Sequence, residues 1–425
     1  MKGKQYMERR PEIAGGHAGA GESMPQVRQE RADEDVLNVD DWNSFLQQAK
    51  AAEAALPLDS RQKPALPARE ADAERPNEDG DGRKGVPAYR RINEKTQELV
   101  RLLENPASRL LVVQRLGGED KLQQVLAAYK DNLKAEDVYL HRNDASPDNQ
   151  KSISLMEQAM AAMGIRRVRD EEMQAAGFNP KRLDDREDSG MSAALYRDEK
   201  TGNYTLAFRG TEPNWKDIRT DIGNAAGLST DQYRRASELA TSLGEIQEYK
   251  TGLSFTGHSL GGGLATMAAA VTRLHARTFN PAGVDSLVAE KLGGSLQNID
   301  RRVDGYYLKG EVLHRVQSSV LVDAAANVAF LPFTRHVRGP GGVLDRVPSA
   351  SGRQIALNAW LEDKPVEGMM GRLYHSFSLH SNQNVQNTLY RMLRGDADID
   401  GKPAAPSAPQ AAKEMRKADM ALLTR

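Results

Sequence analysis

An α/β fold, with a mostly parallel central sheet covered by helices on both faces, is predicted by three observations in this 425-residue chain. Short apolar runs of strand length alternate with helical stretches over residues 151–395. The segment Gly257-His258-Ser259-Leu260-Gly261 has the G-x-S-x-G form of a tight strand-to-helix turn, with Leu253, Phe255 and Thr256 closing a strand before it. Lys200-Thr201-Gly202-Asn203 supplies turn chemistry between the apolar runs 193–196 and 204–208, which marks a hairpin.

Taken in order, residues 1–88 are rich in Glu, Arg, Ala, Pro and Gly, and their large apolar residues gather at 36–46 and 51–58. They are expected to be mostly disordered with one short helix. Over 89–150, Leu99, Leu102, Leu103, Leu110, Leu111, Val113, Leu122, Val125 and Leu126 recur at helical spacing, with breaks at Pro106 and Gly117-Gly118. Two or three helices are predicted there, forming a helical extension. Helical apolar stripes are more often core than interface, so packing against the main domain is favoured over docking a chaperone or secretion partner. The main domain is expected over 151–395, opening with a helix at 153–163. A helix at 230–249 leads to the strand before Ser259, and an alanine-rich helix at 264–274 follows. Strands at 276–279, stopped by Pro281, and at 305–308 come next, and a helix at 385–393 closes the domain. Residues 396–425, rich in Pro and Ala, read as a tail. The Pro/Gly-bearing stretch 330–342 is either a pocket wall or a surface loop.

With 28% charged and 39% hydrophobic residues the chain can bury a sizeable core. A net charge of −1 gives no general attraction for nucleic acid, and no such partner is expected. The absence of cysteine excludes disulfides and thiolate zinc sites. His375 and His380 do not share the helical spacing of paired metal ligands, so neither metal nor cofactor is expected. The start Met1-Lys2-Gly3-Lys4 is not followed by a secretory apolar core, and runs such as 264–271 fall short of the ~20 residues that cross a bilayer. The expectation is a chain made in the cytoplasm without a standard signal peptide, any export using a specialised route.

A serine hydroxyl becomes a nucleophile when a histidine takes its proton, and a carboxylate fixes that histidine's tautomer. After Ser259, His275 is expected within the helix leaving the turn, pointing away. His380 stands in a polar loop just before the last helix and is the chosen base, with His375 as the alternative. Glu311 sits at the carboxyl end of the 305–308 strand, where α/β sheets gather functional groups, and is the chosen acid. Asp285, after the preceding strand, is the alternative, and Asp304 is expected ahead of its strand, at the wrong end. The developing oxyanion calls for two donors: the Leu260 backbone N–H, and Thr211 at the end of the strand Leu206-Ala207-Phe208-Arg209-Gly210-Thr211.

Ala207-Phe208-Arg209-Gly210-Thr211 with Asn214-Trp215, then Phe255-Thr256-Gly257-His258-Ser259-Leu260-Gly261-Gly262, then Thr278-Phe279-Asn280-Pro281, resembles the class 3 (fungal-type) lipase family over about residues 190–395. The likeness implies an α/β-hydrolase fold without a cofactor, an acyl ester or phospholipid substrate, peripheral contact with membranes, Thr211 as oxyanion residue and a lid beginning near Trp215. It also implies an acid after a later strand and a histidine just before the last helix. Three features depart from the family: glutamate stands at 311 in place of aspartate, two histidines precede the last helix, and the acidic residue after Trp215 is out of its usual register. A disordered and helical extension on such a domain resembles bacterial effector lipases delivered by secretion machines, which implies phospholipid of another cell as target and an immunity protein in the producer. Two rivals accompany the hydrolase reading: a non-catalytic binding protein of the same fold, and an acyltransferase that uses the same serine with another acceptor.

Overall fold

The computed structural model describes residues 85–210, 230–311, 313–314, 348–359 and 378–395. The expected elements before residue 85, the stretch 330–342 and the tail lie outside these residues.

Among the described residues the central sheet has eight strands: β1 (Ile165–Arg167), β2 (Asp184–Asp185), β3 (Met191–Asp198), β4 (Tyr204–Phe208), β5 (Leu253–His258), β6 (His275–Phe279), β7 (Val303–Leu308) and β8 (Arg353–Leu357). Their order is β1-β3-β4-β5-β6-β7-β8, with β2 paired to β3. The hairpin β3–β4 is antiparallel with Leu195 opposite Leu206, and Gly202 takes a positive φ of 76° in its turn. From β4 to β8 every pairing is parallel. Consecutive parallel strands need a crossover between them, and helices supply those between β4 and β5 and between β5 and β6.

The helices are α1 (Val86–Glu104), α2 (Pro106–Leu116), α3 (Glu119–Asp137), α4 (Pro147–Ala162), α5 (Asp170–Ala175), α6 (Thr230–Glu245), α7 (Leu260–Thr272), α8 (Ser286–Lys291) and α9 (Asn382–Arg394). Side-chain alternation along the strands sorts them onto two faces. Ala194, Tyr196 and Ala207 join Tyr306 and Leu308 in a core with α1, α3, α4 and α9. Ala193, Leu195, Leu206 and Phe208 face the other way, into a core with α6 and α7. Each fully buried Leu or Phe contributes about 1.5–3 kcal/mol, so both layers are needed to close the sheet. The fold is the α/β-hydrolase arrangement, a mixed sheet with helices on both sides.

The helices over 86–137 are part of one core with the sheet: Leu99, Leu122, Tyr129 and Leu133 are buried together with Val385 and Leu389 of α9. Pro106 opens α2, and Gly117, at φ 85°, ends it, so the sequence breaks fall at the helix boundaries. Several details differ from expectation. The helix after Ser259 starts at Leu260, because three glycines at 261–263 are tolerated where the turn lies tight against the end of β4 and the Pro281-Ala282 segment after β6. Arg273, left-handed at φ 62°, ends that helix, so His275 is not within it but opens β6. Asp304 is inside β7, paired with Arg353 at the edge of the sheet. Strands β1 and β2 are only three and two residues long, and β8, partly exposed, carries too little apolar alternation to announce it.

Candidate active site

Strand β5 runs into Ser259, which takes φ 56° and ψ −126°, a conformation costly for a residue with a Cβ. Neighbouring backbone over-determines it: Ser259 N–H donates to the Phe279 carbonyl at 3.0 Å, and its own carbonyl accepts from Gly262, Gly263 and Ala282. The glycines of the motif have a steric cause. A Cβ on Gly257 would overlap the Gly261 carbonyl, and one on Gly261 would overlap the Phe208 carbonyl oxygen. The turn therefore projects the Ser259 hydroxyl beyond the carboxyl ends of the parallel strands.

The structure brings Ser259, His380 and Glu311 together. His380 Nε2 lies 2.9 Å from Ser259 Oγ, and its Nδ1 lies 2.8 Å from Glu311 Oε2. With a carboxylate on Nδ1, the neutral ring carries its proton there and presents Nε2 as the acceptor for the serine O–H. Glu311 is 1% exposed and accepts from the backbone N–H groups of Leu313 and His314 as well, so its charge is hydrogen-bonded on both oxygens. The His380 ring sits on a turn just ahead of α9. That helix is anchored on α3, where Asn382 and Gln383 donate to the buried Glu136 carboxylate and Asn132 donates to Asn382.

Leu260 is the first residue of α7, and a helix's first-turn amides have no acceptor within the helix. Its N–H follows the serine, in the position of an oxyanion donor. The β4 terminus reaches the same place: a Cβ on Gly210 would lie 2.7 Å from the His258 carbonyl and 3.2 Å from the Gly261 nitrogen. Thr211, Trp215 and the expected lid lie outside the described residues, as does the alternative base His375. Asp285, the alternative acid, instead caps α8 by accepting from Leu287 and Val288 N–H at 2.8 and 3.1 Å. His314 stacks on Tyr307 with ring centroids 3.8 Å apart.

Three residues around the site had no role in the sequence reading. His258 Nε2 lies 2.6 Å from the His380 carbonyl, and Asn280 Nδ2 donates to the carbonyls of Leu379 and His380 at 3.0 and 3.1 Å. Tyr139, beyond the end of α3, accepts from Gly210 N–H through its hydroxyl at 3.1 Å and lies 3.5 Å from His258 Nδ1. Asn280 lies between the 276–279 strand and Pro281, but its left-handed φ of 41° and its carbonyl partners are visible only in the structure, and Tyr139 likewise carries no sequence mark. Beneath β5 and β6, Asp131 pairs with Lys134 at 2.8 Å and with Arg277. Burial pushes its carboxyl up, but the two cations together outweigh burial and hold it below the ordinary carboxylate value. Among the described residues no cluster suited to a metal ion occurs.

Comparison with known proteins bears on this arrangement. The chain is 32% identical over 218 residues to the extracellular phospholipase A1 of Serratia liquefaciens, a match that covers 48% of this chain and 66% of that protein. The chain thus spans just under two thirds of that relative's length. Among solved structures, the Rhizomucor miehei lipase propeptide complex aligns at 13% identity and a TM-score of 0.29, over 67% of this chain and 82% of that one. A phospholipase-like family profile matches residues 131–365, from within α3 through Ser259 and Glu311 and past β8. His380 lies beyond that match, so only the geometry joins it to the other two. With more than half of its length matched, the chain belongs to the family of Tle-like phospholipase domains.

Proposed function

We propose that this protein hydrolyses the carboxylic esters of acyl lipids, phospholipids first among them, through Ser259, His380 and Glu311. The observation that carries the reading is the pair of contacts at His380, 2.9 Å to the serine and 2.8 Å to the glutamate. The family match and the phospholipase A1 relative support the substrate class.

In this reaction Ser259 Oγ attacks the acyl carbonyl while His380 Nε2 takes the hydroxyl proton. Glu311, unprotonated, holds the ring's Nδ1–H and stabilises the imidazolium that forms. The carbonyl oxygen becomes an oxyanion held by the Leu260 N–H and by Thr211. His380 returns the proton to the departing lysophospholipid oxygen, which leaves an acyl-enzyme on Ser259. A water molecule, deprotonated by the same imidazole, then releases the fatty acid and restores the serine. The Serratia relative is an extracellular phospholipase, which supports action outside the producing cell.

Fatty-acid and lysophospholipid release from mixed phospholipid and triglyceride vesicles tests the reading. Ser259→Ala and His380→Ala are each expected to lower kcat at least about a thousand-fold with the fold intact. Wild-type release no greater than that of Ser259→Ala would sink it, and acyl transfer to added alcohol without hydrolysis would redirect it to the transferase.

A further inference from the structure

A triad needs its histidine held to a fraction of an ångström, yet His380 sits on a turn ahead of α9, outside any helix or strand. What fixes that turn is visible at its backbone. The His380 carbonyl receives two side-chain donors, His258 Nε2 at 2.6 Å and Asn280 Nδ2 at 3.1 Å, and Asn280 also holds the Leu379 carbonyl at 3.0 Å. Asn280 is 1% exposed and stands at the carboxyl end of β6 with φ 41°, a left-handed conformation that asparagine tolerates better than other residues with a Cβ. Its amide oxygen faces the other way, accepting from Leu308 N–H at 3.0 Å. Leu308 ends β7, and its own carbonyl accepts from Glu311 N–H at 3.1 Å. The backbone of Asn280 adds a bond to the Tyr306 carbonyl at 2.7 Å. One buried amide thus spans from the backbone of the base to the strand that delivers the acid.

We infer that Asn280 is a positioning residue for the proposed hydrolysis: its side chain fixes the distance between His380 and Glu311. The inference rests on the triad reading for its kinetic consequence but not for its geometry. His258 shares the work at the same carbonyl, and its Nε2 must carry a proton to face it. Neither group touches the reacting atoms.

Two substitutions separate the amide from the backbone conformation. Asn280→Gly keeps a positive φ at no steric cost and removes the amide. Asn280→Asp keeps the shape and the acceptor for Leu308, but sets a carboxylate oxygen against two carbonyls. Misplacing a catalytic group by about 1 Å costs about 100-fold in rate, so both variants are expected to lose about 10- to 100-fold in kcat with KM little changed. Rates are taken per active site titrated with a phosphonate ester, which removes any unfolded fraction. A second reading needs no turnover: the downfield imidazole N–H resonance of the His380–Glu311 hydrogen bond, assigned by its loss in His380→Ala, is expected to broaden or vanish in both variants. Retention of that resonance in Asn280→Gly overturns the inference whatever the rate, as does an unchanged kcat per titrated site. A wild type that keeps the resonance but neither reacts with phosphonate nor releases fatty acid sinks the hydrolase reading alone.

Discussion

Glu311 delivers its carboxylate to His380 from the turn that follows β7, with Leu313 and His314 N–H groups aimed at the same oxygens. A glutamate reaches one methylene farther than an aspartate. Glu311→Gln keeps the volume but puts a neutral amide against the imidazole and removes the charge that stabilises its cation. By analogy with other triads, kcat is expected to fall about 10²- to 10⁴-fold with substrate binding little changed, as steady-state assays on vesicles would read. A smaller fall than tenfold would move the acid elsewhere. The residues of the proposed triad each have a local mark in the sequence: a glycine-flanked serine, a glutamate after an apolar strand, a histidine before a helix. His258, Asn280 and Tyr139 have none, because they act on backbone carbonyls and amides, and no side-chain pattern in the sequence records which carbonyl a neighbour's amide will meet.

At the scale of elements, the contact between α7 and the strands decides how close the serine comes to the sheet. The would-be Cβ of Gly261, against the Phe208 carbonyl, has no flexible neighbour to displace, since backbone of β4 lies on that side. Gly261→Ala is expected to cost about 1–3 kcal/mol in unfolding free energy, measured from the urea midpoint, and to lower activity by shifting the turn. A midpoint equal to wild type would contradict the tight packing of helix on strand. Apolar runs gave the hairpin, β5, β6 and β7 nearly in place, because these strands are covered on both faces, and helical spacing gave α9, which buries one stripe. Helical spacing misplaced the start of α7, where glycines with poor helix propensity are held by packing. The edge strands β1 and β8 escaped both: pairing along one side requires little apolar alternation, and both are partly exposed.

Across the whole molecule, the helices α1 to α4 and α9 form one layer against the sheet, so a fragment beginning at residue 151 would lack the partners of Leu389 and Tyr306. Acid sensitivity belongs to this scale. Arg166 grips Glu172 through both carboxylate oxygens, and with the Arg169 N–H it holds that carboxyl down from its ordinary 4.5 to about 2. Because the folded pKa is lowered, the unfolded chain binds more protons between these values; the stabilisation is full above about pH 4.5 and is lost as pH falls towards 2. Urea midpoints at pH 5 and pH 3 should drop more for wild type than for Glu172→Gln, and equal drops would rule out this contribution. Asp131, held low by Lys134 and Arg277 against its burial, acts in the same direction.

The anchoring of α9 on α3 links residues 250 positions apart, Asn132 and Asn382. A chain grows from its amino end, and domains fold as their segments leave the ribosome. On the proposed chemistry, the nucleophile and acid emerge first and wait without a base. Each nascent copy stays chemically silent until His380 has been made and the helix behind it has docked onto one synthesised long before. On that proposal, the order of synthesis holds the chemistry back in time until α9 has docked on α3.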